Sequence, residues 1–156
     1  MNNAVFIFDY PANEAVRSYS PGSRDRKDLQ TELDRLSSTQ MEIPLIIGGK
    51  EVFTNDTDTV KMPHDHGHIL ARYHKAGEKE VKMAIDAALK AHREWESFSW
   101  FERASVTLKV AELLSKKYRM LINAATMLGQ GKSAYQAEID AACETIDFLR
   151  FNAHYI

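Results

Sequence analysis

The stretch 133–156 constrains the fold most, because it reads as one helix with apolar residues on two sides. Ser133 and Gln136 have the spacing of a capping box, which marks a helix start. One apolar stripe comprises Tyr135, Ile139, Ala142, Cys143, Ile146 and Leu149. The second comprises Ala137, Ala141, Phe148 and Phe151. A helix that is apolar on two faces is normally buried on two faces. The sequence therefore predicts a layer of protein on each side of it.

The helices predicted before this one can supply only one of those layers. The first begins at Glu78 and carries a single stripe, formed by Val81, Ile85, Ala88, Leu89, His92 and Trp95. A capping box at Ser99 and Glu102 opens the second, with Ala104, Leu108, Ala111, Leu114 and Tyr118 on it. The third, around 121–128, is expected to stop at Gly129. We expect the other layer to be a partner or the rest of a longer polypeptide, and a truncated protein is the simpler explanation.

The first half of the chain indicates an arm, a short helix and strands. Residues 1–22 read as an irregular arm, and Ser23 can cap a helix that carries Leu29, Leu33 and Leu36. The run 43–47, the pair Gly48-Gly49 and the run 50–53 have the pattern of a β-hairpin. Residues 60–62 and 69–73 form a second candidate strand pair. The expected division is an arm and helix over 1–40, a β-hairpin region over 41–75 and helices over 76–156.

Bulk composition excludes some functions. The net charge of −2 and pI near 6.3 give no sign of a nucleic-acid-binding surface. No apolar run approaches the roughly 20 residues that a membrane span needs. The single cysteine, Cys143, rules out an intrachain disulfide. The first nine residues have no basic region, and Asp9 and Glu14 argue against a transit peptide, so we expect a cytoplasmic protein.

Three features could suggest chemistry but have simpler explanations. His64, His66 and His68 could bind zinc, yet they crowd a predicted turn, and solvated histidines are the preferred interpretation. Gly129 to Ser133 resembles the end of a phosphate loop, but it follows a helix and lacks the first glycine, which indicates a helix–helix turn. Cys143 lies mid-helix on an apolar stripe among acidic neighbours, which would raise a thiol pKa. We therefore expect Cys143 to pack in the core.

Glu144 is harder to explain. It lies at helical spacing within the second apolar stripe, between Ala141 and Phe148. A carboxylate that faces an apolar layer is costly unless it has a partner. A salt bridge to the missing layer, a partly exposed edge position and a ligand-facing role all stay open. Arg150 and the helix's other three acids are expected to be ordinary solvated or helix-pairing charges.

Several stretches resemble the aldehyde dehydrogenase family. Residues 84–95 and 102–104 resemble the first two helices of that family. The runs 127–133, 136–142 and 146–153 resemble more specifically the branch that oxidises pyrroline-5-carboxylate, in its open form L-glutamate γ-semialdehyde. The pieces 13–14, 20–23 and 66–68 are also similar to that branch's N-terminal segment. The resemblance covers nearly the whole chain and is weakest over the first ten residues.

The resemblance implies an α/β parent enzyme, of which this segment is mainly α-helical with a β-hairpin region after an N-terminal arm. It implies NAD-dependent oxidation of L-glutamate γ-semialdehyde to L-glutamate in proline breakdown. The family's nucleophilic cysteine, general-base glutamate, oxyanion asparagine and nucleotide-binding strands all come later than the matched region. No catalytic or NAD-binding residue is therefore expected here, and the isolated chain should be inactive. The resemblance also implies that the last helix lines the aldehyde entry tunnel, with Glu144 near the substrate's amino-acid end and Phe148 in the same wall.

The expected partners are the small aldehyde substrate, the remainder of the polypeptide and further copies in a homo-oligomeric parent, with no nucleic acid and no membrane. A different hypothesis is a stand-alone helical binding or regulatory module that dimerises through its last helix. A zinc protein that uses the three histidines is a distant third.

Overall fold

The computed structural model describes Val5 and residues 7–155. Residues 7–22 form an arm without helix or strand, as predicted. The strands are β1 Met41–Ile43, β2 Leu45–Ile47, β3 Lys50–Val52, β4 Thr57–Met62 and β5 Asp65–His74. The helices are α1 Arg24–Ser38, α2 Glu78–Ser97, α3 Trp100–Lys116, α4 Arg119–Gln130, α5 Ala134–Ala137 and α6 Glu144–Tyr155, with a π-helical segment Glu138–Cys143 between the last two.

The strands form two small sheets. Strands β2 and β3 pair as the predicted antiparallel hairpin, with Leu45 opposite Val52. Gly48 and Gly49 both have positive φ, at 57° and 75°, as the tight two-residue turn requires. Strand β1 pairs in parallel with β5, so the predicted single run over 43–47 is wrong. Pro44 separates β1 from β2, because it has no backbone N–H to donate to a ladder.

The second predicted strand pair is confirmed but longer than expected. Strands β4 and β5 are antiparallel, and only Pro63 and His64 turn between them. His66 and His68 lie in β5, so the prediction that they belong to the turn is wrong. Strand β5 continues through Gly67, which was predicted to be a turn residue, but the pairing changes register there: Ile69 lies opposite Lys61 and Asp65 opposite Met62.

Serine caps set the starts of three helices. Ser23 Oγ accepts the Arg26 N–H at 3.2 Å, and α1 buries Leu29 and Leu36. The capping boxes predicted at Ser99 and Ser133 are both present. Helix α4 ends at Gly131 rather than at Gly129. Gly131 has the left-handed φ of 69° that a helix C-terminus favours, whereas Gly129 stays helical.

Helix α2 presents its predicted apolar stripe to solvent. None of its residues is buried, and Leu89 is 67% exposed. Val81, Ile85 and Trp95 on the same stripe are exposed as well. The stripe is therefore uncovered by the described part of the chain.

Helix α5, the π-helical segment and α6 run on as one rod, here called the terminal helix, residues 134–155. The buried residues at its start are five apart: Ala137 with Ala142, and Glu138 with Cys143. Five residues of α-helix turn through about 500°, which would place such pairs about 140° apart. The i to i+5 hydrogen bonding of a π-helix brings them to one face.

This change of period corrects both predicted stripes. Tyr135, expected on the covered stripe, is 65% exposed, while Ala137, expected on the uncovered one, is fully buried. Phe151 is partly buried, and its ring meets Tyr10 of the arm edge-on at 6.0 Å. Phe148 is 61% exposed. The expectation of an uncovered second face therefore holds at Phe148, whereas Ala137 and Phe151 are covered by this chain.

Two apolar clusters hold the helices together. In one, Leu29 and Leu36 of α1 pack with Tyr19 of the arm and Ala124 of α4. In the other, Ala111 of α3 packs on Ala142 and Ile146 of the terminal helix. Within the described residues, every helix is too short or too polar to cross a membrane. The terminal helix thus has α3 and α4 on one side and the arm along another.

Candidate functional site

A buried cluster of charges joins the arm to the terminal helix. Arg119 begins α4, and Glu138 begins the π-helical segment; both side chains are fully buried. The Arg119 guanidinium binds both Glu138 oxygens, and it also donates to the Glu14 carboxylate and, at 2.8 Å, to the Ala15 carbonyl. We call Glu14, Arg119 and Glu138, with their hydrogen-bond partners, the arm clasp.

Glu138 is held as a carboxylate. It accepts hydrogen bonds from the Tyr19 hydroxyl at 2.6 Å, the Asn123 amide at 2.8 Å and the Arg17 backbone N–H at 2.8 Å. Burial by itself would raise the Glu138 pKa, but Arg119 and the other donors hold it well below its usual value. The expectation that Glu138 is an ordinary solvated acid is therefore wrong.

Glu14 fastens the arm at a second level. Burial by itself raises the pKa of Glu14. The hydrogen bonds from Ser115, Arg119 and Arg150 together lower it by more, so the pKa lies below its usual value. The Arg150 and Ser115 contacts measure 2.7 and 2.8 Å.

Asp147 binds the arm as well. It accepts from the Asn13 amide at 2.8 Å and from the Glu14 backbone N–H at 2.7 Å. Asp147 and Arg150 thus tie the arm down rather than serving as ordinary surface charges. Asp140 keeps the ordinary role, because it is exposed and pairs with Lys132 at 2.8 Å.

A cleft of about 420 Å³ lies between the arm and the terminal helix. It brings together the two residues that the sequence analysis singled out, Glu144 and Phe148. The arm side is lined by Asn13, Glu14 and Val16, and the helix side by Ile139, Cys143, Glu144, Asp147, Phe148 and Phe151. The site thus has an apolar wall and several carboxylates at its rim.

The carboxylates of the cleft differ in whether they are paired. Glu14 is bound by two guanidinium groups, and Asp147 accepts from Asn13 and from the Glu14 backbone. Glu144 is exposed, and among the described residues no hydrogen bond or ion pair engages its carboxylate. Its negative charge is therefore available to a cation that enters the cleft.

Cys143 packs in the interior, as predicted. Its sulfur lies 3.4 Å from Arg119 Nη2 and 3.7 Å from Glu138 Oε1. Burial and the Glu138 carboxylate raise the pKa of the thiol to about 11. A thiol of that pKa is almost wholly protonated near neutral pH, so Cys143 is a poor nucleophile.

The two remaining motifs give no site. Residues 131–133 connect α4 to α5, with Gly129 still inside α4, which confirms the predicted helix–helix turn. In the described part of the chain, no three acidic, histidine or cysteine side chains come close enough together to hold a metal ion. His64, His66 and His68 therefore do not converge with such residues.

Sequence reasoning missed the arm side of the cleft. Arg119 carried a usable signal, because a cation at a helix N-terminus is unfavourable next to the helix dipole unless it is paired. Glu14 and Asn13 gave no such signal, since they lie in a stretch without periodicity.

The chain belongs to the aldehyde dehydrogenase family, whose sequence model matches residues 53–156. Its relatives point to one branch. A probable delta-1-pyrroline-5-carboxylate dehydrogenase from Schizosaccharomyces pombe is 47% identical over 151 residues, 95% of this chain and 28% of the relative. The human mitochondrial delta-1-pyrroline-5-carboxylate dehydrogenase is 44% identical, over 92% of this chain and 26% of the relative.

Solved structures agree with this placement. The crystal structure of the Mycobacterium tuberculosis delta-pyrroline-5-carboxylate dehydrogenase bound with NAD superposes with a TM-score of 0.96 and 41% identity. The match covers 99% of this chain and 29% of that one. The chain therefore spans between a quarter and a third of the length of these relatives.

Proposed function

We propose that the polypeptide carrying this chain oxidises L-glutamate γ-semialdehyde to L-glutamate with NAD⁺, in proline breakdown. In this proposal the cleft between the arm and the terminal helix receives the amino-acid end of the aldehyde. Membership of the aldehyde dehydrogenase family and the names of the relatives support it. The observation that carries it is the unpaired Glu144 carboxylate beside the exposed Phe148 ring.

The chemistry of the cleft suits an amino-acid semialdehyde. The α-ammonium group of such a substrate is a cation, and a charge-assisted hydrogen bond to Glu144 would bind and orient it. The three-carbon stem can lie against Phe148, which removes apolar surface from water. Because Arg119 and Arg150 neutralise Glu14 and the arm occupies both oxygens of Asp147, Glu144 is the cleft carboxylate whose oxygens are free to bind the ammonium.

The hydride transfer itself needs groups outside the described residues. NAD supplies the hydride acceptor, and its pyrophosphate is usually bound by a glycine turn between a strand and a helix. The described glycines do not fit that role: Gly48 and Gly49 lie in a hairpin, and Gly129 and Gly131 lie at the end of a helix. Gly77 lies between β5 and α2, but it stands alone there, without the further glycines of such a turn. Cys143 is not poised as a nucleophile. We therefore expect the isolated chain to bind no NAD and to turn over no aldehyde.

A substitution in the full-length enzyme tests the role of Glu144. Glu144→Gln keeps the shape of the side chain but removes its charge, so we expect kcat/KM for the semialdehyde to fall by about 10- to 100-fold. A simple aliphatic aldehyde has no ammonium group and should change by less than about threefold. Asp140→Asn, on the same helix but outside the cleft, is the matched control. Equal losses with both aldehydes would return Glu144 to a structural role.

The exposed Phe148 and the exposed α2 stripe also favour a second candidate, a stand-alone helical module that dimerises through the terminal helix. Sedimentation of the purified chain separates the two. A monodisperse dimer that Phe148→Asp converts to monomer would support the module. The reading frame beyond Ile156 is a second discriminator, since its continuation supports the enzyme.

The cytoplasmic location and the homo-oligomeric parent stay predictions. Relatives from Dictyostelium discoideum and human are named mitochondrial, so the compartment differs among similar proteins.

A further inference from the structure

The arm forms one whole side of the cleft, yet its described residues, 7–22, join no helix and no sheet. Asn13, Glu14 and Val16 line the arm side of the cleft, whose volume is about 420 Å³. The arm residues belong to no helix or strand. Their position therefore depends on side-chain contacts, each of which a substitution can remove.

Three of those contacts converge on the Glu14 carboxylate, one from each of three elements. Ser115 reaches it from α3, Arg119 from α4 and Arg150 from the terminal helix. Arg150 is the informative member for a test. Its side chain is 27% exposed, and it does not line the cleft, so it acts on the cleft only through the arm.

We infer that Arg150 is a positioning residue for aldehyde capture, acting with the buried Arg119. By holding the Glu14 carboxylate, the two guanidinium groups seat the arm against the terminal helix and complete the cleft that Glu144 and Phe148 face. They also neutralise Glu14; since the arm occupies both oxygens of Asp147, Glu144 is the cleft carboxylate with its oxygens free for the substrate. The inference rests on the proposed function, because it takes the cleft to be the entry for the aldehyde.

The position of Arg150 predicts a specific kinetic pattern. Since Arg150 touches neither the cleft nor the reacting atoms, its loss should weaken substrate capture and leave the chemical step nearly unchanged. Both an amino-acid semialdehyde and a simple aliphatic aldehyde enter past the arm, so both should be affected. This differs from Glu144, whose charge matters only for the substrate that carries an ammonium group.

The test uses Arg150→Met and Arg150→Lys in the full-length enzyme. Methionine keeps the apolar stem but loses the bond to Glu14, so we expect KM to rise by about 5- to 30-fold for both aldehydes with kcat within about twofold. Lysine keeps the charge and should restore part of the loss. Arg35→Met, which breaks an exposed pair with Glu32 on α1, is the control and should change neither constant.

Hydrogen exchange of the arm amides provides the second readout. The Glu14 N–H donates to Asp147 and the Arg17 N–H to Glu138, so both should exchange slowly in the unsubstituted enzyme. Arg150→Met should speed up exchange at Glu14 in step with the rise in KM. Faster exchange with an unchanged KM would overturn the inference, as would a higher KM with unchanged exchange.

The two proposals fail in different ways. If Glu144→Gln affects both aldehydes equally while Arg150→Met raises both KM values, the ammonium role fails and the positioning role stands. If Glu144→Gln discriminates but Arg150→Met leaves both KM values unchanged, the proposed function stands and the positioning role is overturned.

Discussion

The arm clasp and helix α2 depart from the usual distribution of side chains in opposite ways. The clasp buries charges: Arg119 and Glu138 are fully enclosed. Helix α2 instead exposes apolar side chains along its length, including Ile85 and Leu89. Charged residues are rarely buried unless they are paired, and contiguous exposed apolar patches mark sites of interaction. The same chain thus contains a completed interior and an apolar surface that its described residues leave uncovered.

The difference shows which interactions the chain satisfies by itself. In the clasp, Glu138 has a donor for each oxygen and Arg119 reaches two carboxylates, so the cost of burying these charges is offset locally. On α2 no such completion occurs within the described residues. Substitutions in the arm clasp should therefore lower the stability of the isolated 156-residue chain. Substitutions on α2 should lower stability only when the remaining polypeptide is present.

The largest effect is expected from Arg119→Met in the 156-residue chain. It leaves the buried Glu138 carboxylate without its main partner, which should reduce the free energy of unfolding by about 3–5 kcal/mol. Urea unfolding followed by circular dichroism measures it. Arg35→Met removes an exposed pair and should leave the midpoint in place. If the two variants unfold alike, the clasp does not stabilise the chain, and the contrast with α2 collapses.

The same substitution, leucine to alanine, compares the packed region beneath the arm with the exposed stripe of α2. Leu29→Ala opens a cavity in the cluster beneath the arm and should cost about 2–5 kcal/mol. Leu89→Ala, on the exposed stripe, should change the unfolding free energy of this chain by less than about 0.5 kcal/mol. In the full-length enzyme the Leu89 variant should lower the melting temperature as well. An unchanged melting temperature there would mean that the apolar stripe of α2 is as exposed in the enzyme as in this chain.

Acid should lower the stability of the arm clasp gradually, and by less than the substitutions above. The pKa of Glu138 and that of Glu14 are both lower in the folded chain than the usual 4.5. Such groups stabilise the fold above the unfolded value, and that contribution is lost as the pH falls through the folded value. Unfolding free energy measured from pH 5 down to pH 2 should therefore decline. Glu138→Gln should be less stable at pH 5 and have a flatter profile; an unchanged slope would point to other carboxylates.

Local signals in the sequence predicted the elements well. The N-cap at Ser23 and the capping boxes at Ser99 and Ser133 are confirmed because each depends only on residues three positions apart. The glycine pair of the hairpin is confirmed for a similar reason, since the turn itself demands positive φ. The helix end at Gly131 was missed because two glycines were available and only backbone geometry distinguishes them.

The arm clasp could not be predicted from local sequence signals. Glu14 and Arg119 are 105 positions apart in the chain, and nothing local marks them as partners. Glu138 looked solvated because the stripes were drawn with a uniform α-helical period, which the π-helical segment breaks. Glu144 and Phe148, the two residues singled out from the sequence, lie in one cleft, and their role stays a prediction; the arm side of the cleft depends on long-range contacts.

The π-helical segment Glu138–Cys143 has an evolutionary consequence. Removing one residue there would restore ordinary α-helical winding and leave the residues downstream facing nearly as they do now, because the π-helical turn takes about one residue more than an α-helical turn. A deletion of one residue within α6 has no such slack and would rotate the residues beyond it by about 100°. The segment can therefore absorb a change of one residue in chain length that the regular part of the helix cannot.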